Sequence, residues 1–219
     1  MEPIKYYVRF IYWKIYGNTF IKSLKKELAG CEKVLDLGCG SNSPIKYCKI
    51  SYSVGVENFN PYLLNSKNKK IHSEYIKKDV REVDFAPKSF DAVILLDVIE
   101  HLSKEDGLGL IKKMEKWARK KIIISTPNGF LSQEVDIDGN GLSKHVSGWG
   151  IPEFKKLGFK KIFGISGFKI FRGDNMDKKL RPAILWRVVS DFTQGMAYKR
   201  PEAAFGLFAV KDLIYTGNL

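Results

Sequence analysis

Lys33-Val34-Leu35-Asp36-Leu37-Gly38-Cys39-Gly40 is a short apolar run that ends in two glycines one residue apart. Such a run reads as a buried strand, and the glycines let the chain turn sharply and pass close to a ligand without side-chain obstruction. Nineteen residues after Gly38, Glu57 closes a second such run, Ser53-Val54-Gly55-Val56-Glu57. An acidic side chain at that strand end can accept both hydroxyl hydrogens of a ribose. Enzymes that bind nicotinamide dinucleotides share this pair of features. Their third glycine, which admits a pyrophosphate, would fall at position 43, where this chain has Ser43 followed by Pro44.

Outward from this core, Phe90 to Asp97, Lys121 to Thr126, Phe159 to Ile165 and residues 205–211 read as further strands, with a weaker one at 75–79. The strands alternate with stretches able to form helices, which predicts an α/β Rossmann-like, doubly wound and mostly parallel seven-stranded sheet covered on both faces. Ser103, Glu105 and Asp106 start one helix with a capping hydroxyl and acidic residues, and Leu108, Ile111, Met114, Glu115 and Ala118 predict its core-facing side. A short helix follows Pro152 and ends at Gly158. Two segments stand outside the repeating unit. Residues 4–28 mix aromatic and basic side chains and predict an amphipathic helical lid over the ligand site, and residues 167–204 form an insertion with a helix from Pro182 to about Phe192. The expected organisation is one domain over 1–219: a helical segment at 1–30, a binding core at 31–166, the insertion at 167–204, and the last strand with a tail at 205–219.

With 44% hydrophobic and 28% charged residues, the chain has the composition of an ordinary globular protein and not of a disordered one. No stretch approaches the ~18 to 20 apolar residues of a membrane span and no signal peptide is recognisable, so a cytoplasmic protein is expected. Cys31, Cys39 and Cys48 match neither a zinc spacing nor a disulfide framework. The formal charge of +13 favours anionic partners, whether nucleic acid, phosphorylated substrate or membrane surface, without choosing among them.

At these residues the chain resembles the class I S-adenosylmethionine-dependent methyltransferases, the similarity running from about Lys33 to Ile165. The resemblance implies S-adenosyl-L-methionine as cofactor and S-adenosyl-L-homocysteine as product. Asp36, Gly38 and Gly40 would wrap the amino-acid part of the cofactor, and Glu57, followed by Asn58, would bind the ribose. Where the family often has a third glycine the chain has Asn42, which also tolerates positive φ. Lys78-Asp79-Val80 is similar to the next family motif, so Asp79 and the Val80 backbone would hold the adenine. Phe90 to Leu102 resembles the fourth-strand motif of type 11/12 methyltransferases related to those of ubiquinone biosynthesis, placing Leu96 and Asp97 beside the methionine moiety. Asp91 reads as structural, and Trp149 and Phe159 as core or pocket wall.

Methyl transfer to a hydroxyl benefits from a base, and His101 and His145 are the candidates, the latter in the loop after the fifth strand. The spacing Asp97-x-x-Glu100-His101 is similar to one that gathers a divalent metal in some quinone-type relatives; a short strand-to-helix turn also explains it, and no metal ligand is assigned. The expected reaction is O-methylation of a small-molecule, glycan or lipid-linked acceptor, with peripheral contact to an anionic membrane. An RNA methyltransferase is the alternative, disfavoured because no Asn-Pro-Pro-Tyr-type sequence follows the fourth strand. A non-catalytic cofactor-binding adaptor is a third reading.

Overall fold

The structure is a computed structural model that describes residues 19–132, 141, 143–172, 186, 189–190 and 192–213. Seven strands form one sheet: β1 (Lys33–Leu37), β2 (Tyr52–Val56), β3 (Glu74–Ile76), β4 (Phe90–Leu96), β5 (Ala118–Pro127), β6 (Lys161–Phe168) and β7 (Ala204–Asp212). Their order is β3-β2-β1-β4-β5-β7-β6. The first five run parallel, while β7 inserts antiparallel between β5 and β6. The order reverses between β1 and β4, and in an open α/β sheet ligands bind in the crevice at the carboxyl ends of the strands flanking such a reversal.

Burial alternates along the central strands as a sheet covered on both faces requires. Leu35, Leu37, Val93, Leu95, Ile122 and Ile124 point into one layer, closed by α3 (Lys104–Trp117) and α4 (Ile151–Lys156). Val34, Ala92, Ile94 and Ile123 point into the other, where Leu24 of α1 (Thr19–Glu27) and the following Leu28 are fully buried. On that face α5 (Gln194–Lys199) lies against β6, with the Phe163 and Tyr198 rings stacked at 4.7 Å. The remaining helix, α2 (Asn60–Asn68), follows β2.

Several expectations change. The weak strand stops at Ile76, because Lys77 to Asp79 leave the sheet before the turn that Asp79 closes. Ser103 does cap α3, accepting the Asp106 N–H at 3.0 Å. The buried side of that helix is Gly107, Leu110, Ile111, Met114 and Trp117, whereas Leu108 is exposed, since it lies about 100° per residue away from that stripe. Of the N-terminal segment, the described part is a layer of the core and not a cover over the crevice; its first fifteen residues, 4–18, lie outside the described residues. Most of the helix expected from Pro182 to Phe192 lies outside them too. Asp91 is structural: it accepts the Glu32 and Lys33 N–H groups at 2.8 and 3.1 Å and pairs with Arg119 and Lys120. Among the described residues no helix is long and apolar enough to cross a membrane.

Candidate functional site

The chain leaves β1 through Gly38 and Gly40, at φ of 68° and 57°, left-handed conformations that favour glycine. The two positions differ in what surrounds them. A Cβ on Gly38 would stand 2.5 Å from Val98 Cγ2, so this glycine lets the β1 loop close onto the turn after β4. A Cβ on Gly40 would meet nothing within 4 Å and would project into open space. That open space beside the half-buried glycine loop has room for a ligand such as the amino-acid end of S-adenosylmethionine.

Glu57, buried at the end of β2, ties the cradle together. One carboxylate oxygen accepts the Gly40 N–H at 2.9 Å and the other accepts the Phe59 N–H at 2.8 Å. Each oxygen keeps a second acceptor site, so the side chain can position the loop and take ribose hydroxyls together. Asn58, exposed between them, forms the turn. Glu57→Ala is expected to weaken S-adenosylmethionine binding by about 1.5 to 3 kcal/mol, the range for hydrogen bonds to a charged group. Calorimetry with a 2'-deoxyribose cofactor analogue separates the two roles: the deoxy penalty should shrink in the variant, and an unchanged penalty would remove Glu57 from the ribose.

Asp36 is enclosed, with its side chain 2% exposed. It is buried under the loop, where Ser43 donates to its Oδ2 at 2.5 Å and His72 Nε2 stands 3.4 Å from the same oxygen. Burial pushes the Asp36 carboxyl up to about 7 and the His72 imidazole down to about 4. The raised carboxyl contributes stability that is full below its unfolded value near 4 and is lost as pH rises through 7; the depressed imidazole contributes stability present above about 6.5 and lost as pH falls through 4. The two dependences oppose each other over almost the same window. Asp36→Asn is therefore expected to unmask the histidine, so that stability falls by up to roughly 3 kcal/mol between about pH 6.5 and 4, where the parent changes little. Urea unfolding across that range reads the difference.

On the β3 side of the crevice, Asp79 accepts the Arg81 N–H at 2.9 Å and pairs with the Arg81 guanidinium at 2.8 Å, which holds its carboxyl below the usual range. Val80 packs its side chain into the core, leaving its backbone for a ligand contact. Leu96 ends β4, and Asp97 follows at φ 55°, a strained conformation for a non-glycine residue. Two bonds hold it: its N–H donates to Ser125 O at 2.9 Å, and Ser125 Oγ donates to its Oδ1 at 2.9 Å. Asp97 is accessible from the crevice, yet the protein surrounding it holds its carboxyl above the ordinary value.

Beyond Asp97 a 3-10 turn, Ile99–His101, presents two side chains to the same region. The Glu100 backbone carbonyl accepts the Val146 and Ser147 N–H groups at 2.8 and 3.1 Å, which draws the loop after β5 across the turn. His101 and His145 meet there, with ring centroids 4.9 Å apart. His101 Nδ1 lies 3.1 Å from Lys144 O and His145 Nδ1 lies 2.7 Å from Leu131 O. A carbonyl only accepts, so each ring donates from Nδ1, and the tautomer this fixes for the neutral ring has its lone pair on Nε2. Burial lowers the His101 pKa further, favouring the neutral ring. Glu100 is buried, which together with the adjacent Asp97 charge pushes its carboxyl up to about 8.

The structure thus joins Gly38, Gly40, Glu57 and Asn58 into one cradle and brings the two histidines, read separately from the sequence, into contact. The His72 partner of Asp36 was missed. Its only sequence signal is a polar residue just before a strand, which is common to many turns.

Residues 35–124 match the model of a methyltransferase domain family. Over 89 residues the chain is 36% identical to the sterol 24-C-methyltransferase of Candida albicans, a match covering 35% of this chain and only 23% of that protein's length. A SAM-dependent methyltransferase from Archaeoglobus fulgidus superposes with a TM-score of 0.53 at 20% identity, covering 94% of this chain and 100% of the other. The methyltransferase solved with the Trm112 activator of Haloferax volcanii superposes with a TM-score of 0.57 at 14% identity, covering 86% and 84%. At these identities the superpositions establish the fold, and the family match falls on the strands that build the cradle. With its glycine loop, its strand-end glutamate and the sheet reversal that sets them side by side, the chain carries over residues 35–124 a domain that matches the methyltransferase family, on the Rossmann-like sheet its structural neighbours share.

Proposed function

We propose that the chain transfers a methyl group from S-adenosylmethionine to a hydroxyl oxygen of a small-molecule, glycan or lipid-linked acceptor. The supporting observation is the placement of the Glu100, His101 and His145 group across the β4 end from the glycine cradle, at the same carboxyl edge of the sheet. The cofactor supplies a sulfonium-activated methyl group, open to an incoming nucleophile and leaving S-adenosylhomocysteine. Glu57 and the Gly38 to Gly40 backbone hold and orient that donor, and alignment supplies much of the acceleration. An imidazole Nε2 beside the acceptor position can take up its hydroxyl proton. Phe130 and Val146, adjoining the loop residues that fix His145, are 64% and 52% exposed and offer the acceptor an apolar flank. That flank suits an amphiphilic molecule better than a bare sugar, and the +13 charge suits an anionic head group.

The charge also supports a second reading, methylation of RNA. Incubating the protein with methyl-labelled cofactor and separated lipid, glycan, small-molecule and RNA fractions of its source cells decides between them. Label in one of the first three supports the proposal, label in RNA transfers it, and cofactor binding without label in any fraction leaves an adaptor.

A further inference from the structure

We infer that a cavity beside the glycine loop, rimmed by Asn42, Lys46, Lys69 and Lys70, binds the phosphate group of a small phosphorylated ligand, and that its occupancy stiffens the loop. The inference goes beyond methyl transfer: it names a second ligand, bound on the β2 side of β1, whereas the two histidines stand past β4.

The cavity follows from a short crossover. Parallel strands are usually joined by a helix that covers the sheet, but the chain between β1 and β2 makes only one 3-10 turn, Pro44–Tyr47. Val54 and Val56 of β2 point into the opposite layer, so Ser53 and Gly55 face this side. Both are small. The His72 ring lies over Gly55, where an added Cβ would come within 2.6 Å of its Cδ2, and His72 Nδ1 is 3.2 Å from Ser53 Oγ. What stays open is a recess of about 470 Å³ with Ser53, Ile50 and Ile71 in its wall. That volume falls in the ~300 to 1,000 Å³ range of small-molecule sites.

The rim carries positive charge that no acid offsets. Lys46 Nζ donates to Asn42 Oδ1 at 2.7 Å, while Lys69 Nζ donates to Ser41 O at 3.0 Å and reaches the same Asn42 oxygen at 3.4 Å. Two ammonium groups sharing one neutral oxygen stand at most ~6 Å apart, where like charges repel and a bridging anion attracts both. Lys70 adds a third, at φ 51° in the left-handed position after α2 that favours glycine. Among the described residues none of the three meets a carboxylate, whereas Lys104, Lys116, Lys161 and Lys211 each do. From residue 41 to 73 the sequence has a single acid, Glu57, which is buried and bonded to backbone N–H groups. A phosphate dianion matches such a rim, because it offers oxygens to several ammonium groups at once. The isoleucines give the organic part of a phosphate ester an apolar wall.

Each ammonium has three donors, so Lys46 and Lys69 can hold the phosphate and keep their bonds to Asn42 and Ser41. Occupancy then offsets the repulsion and fixes the far end of the loop that begins at Gly38, which lowers the cost of ordering that loop around the cofactor.

The test is calorimetric titration of the full chain with inorganic phosphate and with phenyl phosphate at low ionic strength, with and without S-adenosylhomocysteine in the cofactor site. The expected result is one phenyl phosphate per chain, bound at least ~5-fold more tightly than inorganic phosphate because the ring uses the apolar wall. The double variant Lys46→Gln, Lys69→Gln, changed at exposed positions, should bind it at least ~10-fold more weakly. Lys49→Gln should stay within about twofold of the parent, since Lys49 is exposed but does not line the cavity that its neighbours Cys48 and Ile50 help to form. S-adenosylhomocysteine should bind about threefold more tightly when phenyl phosphate is present, and phenyl phosphate by the same factor when the cofactor product is. No saturable phosphate binding, or equal losses in Lys49→Gln and the double variant, overturns the site. Saturable binding that leaves affinity for the cofactor product unchanged overturns the stiffening. Oligoribonucleotides that displace phenyl phosphate with an affinity rising with length would overturn the small-ligand assignment in favour of nucleic acid.

Discussion

Gly40→Val is expected to abolish S-adenosylmethionine binding, a loss of at least ~1,000-fold or about 4 kcal/mol, in a protein that still folds. Two effects act together. A β-branched residue at φ 57° is a genuine backbone outlier, and relaxing it would pull the Gly40 N–H off Glu57, 2.9 Å away. The added methyl groups would also occupy the open space into which a Cβ at this position points, the space we assign to the methionine end of the cofactor. Gly38→Ala provides the contrast, because its Cβ meets Val98 Cγ2 at 2.5 Å in the packed interior. Thermal unfolding should register Gly38→Ala as the larger loss of stability, while calorimetry registers Gly40→Val as the larger loss of binding. Equal cofactor affinity in parent and a folded Gly40→Val protein would remove the cradle from the cofactor site.

The contrast between these glycines marks the limit of what was legible in the sequence. Both were readable as backbone turns, because a strand that ends in glycine and enters a loop leaves a local pattern. Which of them faces the ligand depends on Val98, a residue 60 positions away that only the pairing of β1 with β4 brings close. Glu57 was legible for the same local reason, at the end of an apolar run. Its bond from the Gly40 N–H was not, since it depends on how the β1 and β2 loops lie against each other. The α3 stripe was misplaced by taking Leu108 in place of Leu110: an apolar residue one turn into a helix looks alike on either side until the sheet beneath it is known. Asp36 and His72 show the same limit more sharply, two polar residues with no periodicity linking them and a common burial that only the packed β1 and β2 create.

The acceptor end yields the other large effect. His145→Ala is expected to lower kcat by about 10²- to 10⁴-fold, the range for loss of a group that assists proton transfer, with cofactor affinity within about threefold of the parent. The side chain stands on the loop after β5, bonded to Leu131 O, while Glu57 is bonded to the glycine loop, so donor binding has no reason to change. A purely structural role has its own signature. His145 donates to Leu131 O at 2.7 Å, and an asparagine there can restore an N–H donor but not the imidazole Nε2. If the loop bond were all that mattered, His145→Asn would recover most of the rate; we expect it to remain as slow as the alanine variant. His101→Ala should match it, and the double variant should be no slower than either single one, because residues that act as a unit lose their function once. Multiplicative losses in the double variant would separate the two histidines and show that their 4.9 Å ring contact is packing alone.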